Sequence, residues 1–294
     1  MTSFIGTATA LVTPFLSDES IDFDSLGRLI DIQIEQGIEA IVSCGSTGEA
    51  ATLSFQEKVA LIRFTIEKAA GRVKIIAGTG SNDTRATITL TRTAKDLGAD
   101  AVLLVAPYYN KPTQNGFFEH FRAIAEAVDI PQIIYNVPPR TGSNILAETQ
   151  LRIAESNKNI IATKEASANL EQIIEIIAHS PAHFSVLAGD DSLALPVIAC
   201  GGKGAIAVIS NYAPKRFGDL VRAALRGDYD EARQLLFGLL PMMQLNFIES
   251  NPIPVKYILS QLGLIGEHYR LPLTPASSAS KTALIKGMQA CQIE

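Results

Sequence analysis

Ala101-Val102-Leu103-Leu104-Val105-Ala106 is an apolar run with no polar residue to break it. A strand with one wet face alternates, whereas a strand covered on both faces does not, and parallel strands under crossover helices are of the second kind. Outward from this segment, comparable runs stand at Thr7–Thr13, Ala40–Cys44, Lys74–Gly78, Gln132–Val137, Ile160–Lys164, Ser185–Ala188 and Ala205–Ser210, eight in all. Longer amphipathic stretches separate them, among them Phe55–Ala70, Thr84–Leu97, Gly116–Val128 and Ala168–Ala178. Ser54-Phe55-Gln56-Glu57 reads as a capping box, in which the hydroxyl accepts from a first-turn amide and the Glu reaches back. Gly71 and Gly98 stand just past two of the helices, where a residue without a Cβ most easily turns left-handed. Eight βα units without a long linker predict an α/β protein with a closed (β/α)8 TIM barrel, not an open doubly wound sheet.

After about Arg226 the pattern changes to helices at Asp228–Phe247, Pro254–Leu262 and Pro275–Gln289, with no further strand. The division expected is a catalytic barrel over 1–226 and a C-terminal helical extension over 227–294. No Gly/Ser/Pro-rich linker precedes the extension, which predicts that it docks on the barrel. The 294 residues are 47% hydrophobic and 19% charged, an ordinary globular balance. A net charge of −5 argues against nucleic acid or an anionic membrane as partner. Met1–Gly6 lacks a basic, apolar leader and no run is long enough for a membrane span, so a cytoplasmic protein is expected. Cys44, Cys200 and Cys291 are far apart and odd in number, which predicts no disulfide framework. The histidines His120, His179, His183 and His268 show no ligand spacing, so no metal is expected.

In a barrel of this kind chemistry sits at the C-terminal ends of the strands. The polar and glycine-rich segments of this chain collect there: Gly45–Glu49, Gly78–Asn82, Pro107–Asn110, Tyr135–Gly142, Lys164–Ser167 and Gly189–Asp191. Lys164 follows an apolar strand, where burial favours the neutral, nucleophilic amine that attacks ketones to form an imine. It reads equally as a strand-end lysine paired with Glu165 or Asp190. Ser46 and Thr47, between glycines, offer hydroxyls and free amides to a small carboxylate, or form a plain βα turn. Gly78-Thr79-Gly80 begins like a dinucleotide fingerprint, but Asp83 stands where the third glycine belongs. Tyr135 can move a proton at the imine-forming centre or simply pack on its ring. Arg140, after two prolines, suits bidentate carboxylate binding, or is a surface arginine.

Taken together, these segments resemble the pyruvate-dependent Schiff-base aldolases, and within them the dihydrodipicolinate synthases. The likeness runs from about Gly6 through Pro275 and includes Ala10–Pro14, Gly45–Glu49, Pro107–Asn110, Tyr135–Gly142, Lys164–Ser167 and Asn251-Pro252-Ile253-Pro254-Val255-Lys256. It implies a lyase that uses neither cofactor nor metal, whose substrates are pyruvate and aspartate semialdehyde. Lys164 would form the Schiff base, Tyr135 would transfer protons beside it, and Tyr109 would enter a partner subunit's site to relay protons through Ser46. The Ser46 and Thr47 amides would hold the pyruvate carboxylate, Ile206 would belong to the substrate-binding set, and Arg140 would bind the carboxylate of the second substrate. The assembly implied is a homotetramer of two tight dimers. One departure stands out: the relay hydroxyl, usually threonine in these synthases, is Ser46, as in the related sialic acid lyases. Arg140 argues for the synthases. Cleavage of N-acetylneuraminate or a 2-keto-3-deoxy sugar acid is the rival within the family, and a non-catalytic keto-acid-binding barrel the rival outside it.

Overall fold

A computed structural model describes residues 4–294. Eight parallel strands close on themselves in sequence order: β1 (Gly6–Ala10), β2 (Ala40–Ser43), β3 (Lys74–Gly78), β4 (Ala101–Val105), β5 (Gln132–Asn136), β6 (Ile160–Glu165), β7 (Ser185–Ala188) and β8 (Gly204–Ala207). The unbroken apolar runs divide by parity into two buried sets. Val42, Ile76, Leu103, Ile133, Leu187 and Ile206 fill the barrel interior. Ile41, Ile75, Val102, Leu104, Ile134 and Val186 pack with the surrounding helices. Each strand therefore feeds two cores at once, which is why its sequence shows no alternation.

Two strands stop short of their apolar runs. β1 ends at Ala10 because the Asn211 side chain accepts from the Val12 amide (3.0 Å) and donates to the Ala10 carbonyl (2.9 Å). β8 ends at Ala207 because the Asp191 carboxylate accepts from the Val208 and Ile209 amides, at 2.9 and 2.7 Å. Side chains from distant positions have taken over the ladder's partners. The capping box forms as read, with Ser54 accepting from the Glu57 amide and Glu57 from the Ser54 amide. Ala70 itself turns left-handed after the helix Phe55–Ala69, and Gly71 continues the turn.

β6 contains an irregularity with consequences for the site. Gln132 pairs with Ile160, but the next residue of β5, Ile133, pairs with Ala162, so Ile161 is skipped. Ile160 belongs to the helix-facing core, whereas Ile161 and Ala162 both face the interior. A bulge of this kind exchanges the faces of all later residues. Lys164 consequently shares the inward parity of Ala162.

Beyond the last barrel helix (Pro214–Leu225) come helices Tyr229–Leu245, Ile253–Gln261 and Ser278–Cys291. The first packs on Pro214–Leu225, and the last packs on both of the others. No helix among the described residues is long and apolar enough to cross a membrane.

The barrel seals where β1 meets β8, with Gly6 opposite Gly204. Gly204 holds φ +148°, and a Cβ there would sit 1.9 Å from the Gly6 carbonyl oxygen. Gly204→Ala should therefore cost about 3 kcal/mol or more in urea unfolding. Gly37→Ala, at φ +78° with nothing within 4 Å, should cost only about 1 kcal/mol. Equal losses at the two positions would mean that strand closure is not the constraint at Gly204.

Candidate active site

β5 and β6 place Tyr135 and Lys164 directly opposite each other, with both side chains in the barrel interior. The Lys164 ammonium lies over the Tyr135 ring, 4.3 Å from its centroid. Residue exposures of 5% for Lys164 and 6% for Tyr135 put this cation–π contact out of water. Pairing of Lys164 with Glu165 is excluded by parity. Glu165 faces the helices, where Oε1 accepts from the side-chain amides of Asn136 (2.6 Å), Gln150 (2.7 Å) and Gln172 (3.1 Å). Its other oxygen accepts from the Ser167 hydroxyl at 2.5 Å. Nor is Lys164 bridged to Asp190: among the described residues it takes part in no salt bridge. The Asp190 carboxyl is raised above the usual carboxylate range by burial, against the pull of the Lys164 charge, and its Oδ2 is buried without a partner. Asp191, spent on the β8 amides, is pushed up to about 6 by its burial. The amine thus stands at the top of the barrel with an aromatic face and no carboxylate partner.

The turn after β2 carries Ser46 and Thr47. Gly48 donates to the Gly45 carbonyl at 3.0 Å, Glu49 donates to Ser46 at 3.1 Å, and the Thr13 hydroxyl donates to Gly48 at 2.7 Å. The Ser46 and Thr47 amides donate in none of the backbone hydrogen bonds of this turn. Two successive unspent amides beside a hydroxyl make an anion-binding concavity. The Thr47 hydroxyl is engaged, accepting from Asn251 at 2.9 Å. Gly78 and Gly80 prove to be sites of close approach rather than of phosphate binding. A Cβ at Gly78 would lie 2.2 Å from the Cys44 carbonyl oxygen, and one at Gly80 2.3 Å from the Val105 nitrogen.

A cavity of about 430 Å³ opens over these groups, lined among others by Ser46, Glu49, Tyr108, Tyr135, Arg140 and Asn251. Lys164, Thr47 and Ile206 are not in its lining: the Lys164 amine lies over the ring of Tyr135, itself a lining residue, Thr47 is buried beside Ser46, and Ile206 is fully buried in the barrel interior. Arg140 lies on the short helix Pro138–Thr141 at the mouth, where the two prolines preset its first turn. Its guanidinium donates to the Asn251 carbonyl at 3.0 Å. Cys44, in the cavity wall, is held as a neutral thiol, its pKa pushed up to about 12 by burial.

Tyr109 stands apart from its own chain's cavity. It is 90% exposed, with φ +71°, on a loop fixed by Asn82, which donates to the Tyr108 carbonyl and accepts from Asn110. A non-glycine residue in the left-handed region is uncommon, and here it holds a whole aromatic ring in water.

Two contributors to the cavity, Asn251 and Glu49, and one residue behind it, Lys256, received no separate role from the sequence. Asn251 touches both the Ser46–Thr47 turn and Arg140. Lys256 carried a legible signal, since it is the only charge in the apolar stretch Ile253–Leu259. A lone charge in such a setting needs a buried partner, and here that partner is Glu49.

Comparison with known proteins agrees with this geometry. A sequence model described as the dihydrodipicolinate synthetase family matches residues 3–291. The 4-hydroxy-tetrahydrodipicolinate synthase of Prosthecochloris aestuarii is 51% identical over 283 residues, covering 96% of this chain and 95% of that one. The crystal structure of dihydrodipicolinate synthase from Aquifex aeolicus is similar with a TM-score of 0.97 and 45% identity over 99% of each chain. The chloride-inhibited dihydrodipicolinate synthase from Acinetobacter baumannii, complexed with pyruvate, gives a TM-score of 0.97 and 43% identity, covering 99% of this chain and 100% of that one. The chain belongs to the dihydrodipicolinate synthetase family.

Proposed function

We propose that this chain condenses pyruvate with L-aspartate 4-semialdehyde to 4-hydroxy-tetrahydrodipicolinate, a step of lysine biosynthesis, through a Schiff base on Lys164. The observation that carries the residue assignment is a buried amine over a tyrosine ring with no carboxylate partner. A carboxylate bonded to the amine would have to be displaced before the nitrogen could reach a carbonyl carbon, and here none is bonded. Lys164 attacks the pyruvate ketone, water leaves, and the imine draws a proton from the methyl carbon to give an enamine. The enamine carbon then adds to the aldehyde. The substrate's amino group closes on the imine carbon and displaces Lys164. Tyr135 is the phenol beside these proton transfers.

The free amides of Ser46 and Thr47 take the pyruvate carboxylate, and the Ser46 hydroxyl relays protons. Ile206, buried in the barrel interior, joins the substrate-binding set by the family likeness. Arg140 binds the carboxylate of the semialdehyde at the mouth. Tyr109, turned away from its own cavity, completes the relay in a second copy of the chain, and a tetramer of two such dimers follows from the family likeness. The segment 227–294 works as part of the same catalytic unit, since Asn251, Pro252 and Leu273 line the cavity.

An assay with pyruvate and aspartate semialdehyde, coupled to a reductase that consumes the product, should show turnover, while N-acetylneuraminate should not be cleaved. In the same assay Arg140→Ala should lose about 1.5–3 kcal/mol, the range for a charged hydrogen bond, as a raised KM for the semialdehyde. The KM for pyruvate should stay nearly unchanged. Equal effects on both substrates would remove Arg140 from acceptor binding. For Tyr109, inactive Tyr109→Phe mixed with inactive Lys164→Ala should regain activity, because one site of each heterodimer holds both wild-type residues. No recovery, with subunit exchange verified, would return Tyr109 to its own chain.

A further inference from the structure

The chemistry above leaves unused the most deeply buried ion pair in the molecule. Lys256 Nζ lies 2.6 Å from Glu49 Oε1, and the two side chains are 0% and 1% exposed. Every other salt bridge among the described residues keeps more than a tenth of each side chain in water. Removing two charges from water is so costly that apolar side chains of similar volume often serve stability as well or better. A role beyond stability is therefore to be sought in what the pair touches.

Glu49 is the last residue of the turn that carries Ser46 and Thr47. It holds a left-handed φ of +55°, and the residue lies in the cavity lining. Its amide donates to the Ser46 carbonyl at 3.1 Å, so any shift of Glu49 is passed to the cradle. Lys256 approaches from the helix Ile253–Gln261, which begins two residues after Asn251. The rest of its ammonium is covered by rings, with centroids at 4.4 Å for Phe15 and 5.1 Å for Tyr269. Asn251 already grips the cradle at the Thr47 hydroxyl. A second brace runs in parallel, because the Arg270 guanidinium binds Glu57 at 2.5 Å and the Arg270 amide reaches Glu49 Oε2 at 3.4 Å. Glu49 and Lys256 are 207 positions apart in sequence, yet they fix one turn against the C-terminal arm.

We infer that the Glu49–Lys256 ion pair is a positioning device for the substrate carboxylate: it clamps the Ser46–Thr47 turn at the cavity wall and with it the two free amides. The inference rests on the pyruvate reading above. Neither residue of the pair is assigned contact with a reacting atom; both act through the turn.

The test compares wild type with Glu49→Gln, Lys256→Met and the double variant Glu49→Gln/Lys256→Met. Each single change strands a buried charge and should lower Tm, whereas the double change removes both charges at nearly constant volume and should recover most of the loss. The double variant should still show a pyruvate KM raised about tenfold or more, with the semialdehyde KM within about twofold of wild type and kcat lowered as the Ser46 hydroxyl moves with the turn. A double variant with wild-type Tm and wild-type pyruvate KM would overturn the inference, since the pair would then be structural only. Should the double variant not fold, Glu49→Gln alone decides the matter below its own Tm, because the amide fills the same volume but gives up the charge that makes the ion pair. An unchanged pyruvate KM there overturns the clamp as well. Calorimetric pyruvate affinity on the same proteins separates the two layers. A wild type that binds pyruvate but does not turn over counts against the proposed reaction, while weaker pyruvate binding by the variants still supports the clamp.

Discussion

Lys164 reaches the barrel interior because one residue, Ile161, is passed over in the pairing of β6 with β5. Strand side chains alternate with period two, so without that bulge the lysine would face the helix layer and Glu165 would face the barrel. With it, each goes to a setting that suits its charge. The amine comes to rest over an aromatic face at the top of an apolar interior, and the carboxylate comes to rest among three side-chain amides and a hydroxyl. Those donors also hold Glu165 away from the amine, which keeps Lys164 free of a fixed counter-charge. The proposed nucleophile and its isolation are two results of the same irregularity.

Around that amine the cavity is assembled from distant parts of the chain. The turn after β2 supplies free amides, the two prolines before Arg140 stiffen the mouth, and Asn251 joins both. The loops between the C-terminal helices, with Ser250–Pro252 and Pro272–Leu273, are therefore a wall of the site. In the proposed reaction the order of events needs such rigidity: pyruvate must be held by its carboxylate while the same turn offers the relay hydroxyl. Amides already oriented in the absence of substrate spare the cost of reorganising them during the reaction.

Much of this was legible in the sequence, for physical reasons that can be assigned residue by residue. The eight strands stood out because burial on both faces leaves unbroken apolar runs such as Ala101–Ala106. The strand-end segments stood out because plain turns do not require polar groups and glycines directly after one apolar run after another. The true ends of β1 and β8 were not readable, because Asn211 and Asp191 act on them from far along the chain. The bulge was hidden too, since Ile160-Ile161-Ala162 is apolar whichever way it faces. Whether Lys164 pairs with Glu165 could not be read from spacing, because the partners of Glu165 lie on other elements. Lys256 was visible as a stray charge in an apolar helix, but its partner Glu49 could be supplied only by the fold.

The most direct test of the central claim, that Lys164 is the amine that forms the imine, is covalent trapping. Wild-type protein treated with pyruvate and sodium borohydride, digested and mapped by mass spectrometry, should carry the reduced pyruvate adduct on Lys164, and Lys164→Arg should carry none. An adduct on Lys256 or any other lysine, or active protein that traps no pyruvate, would contradict the account.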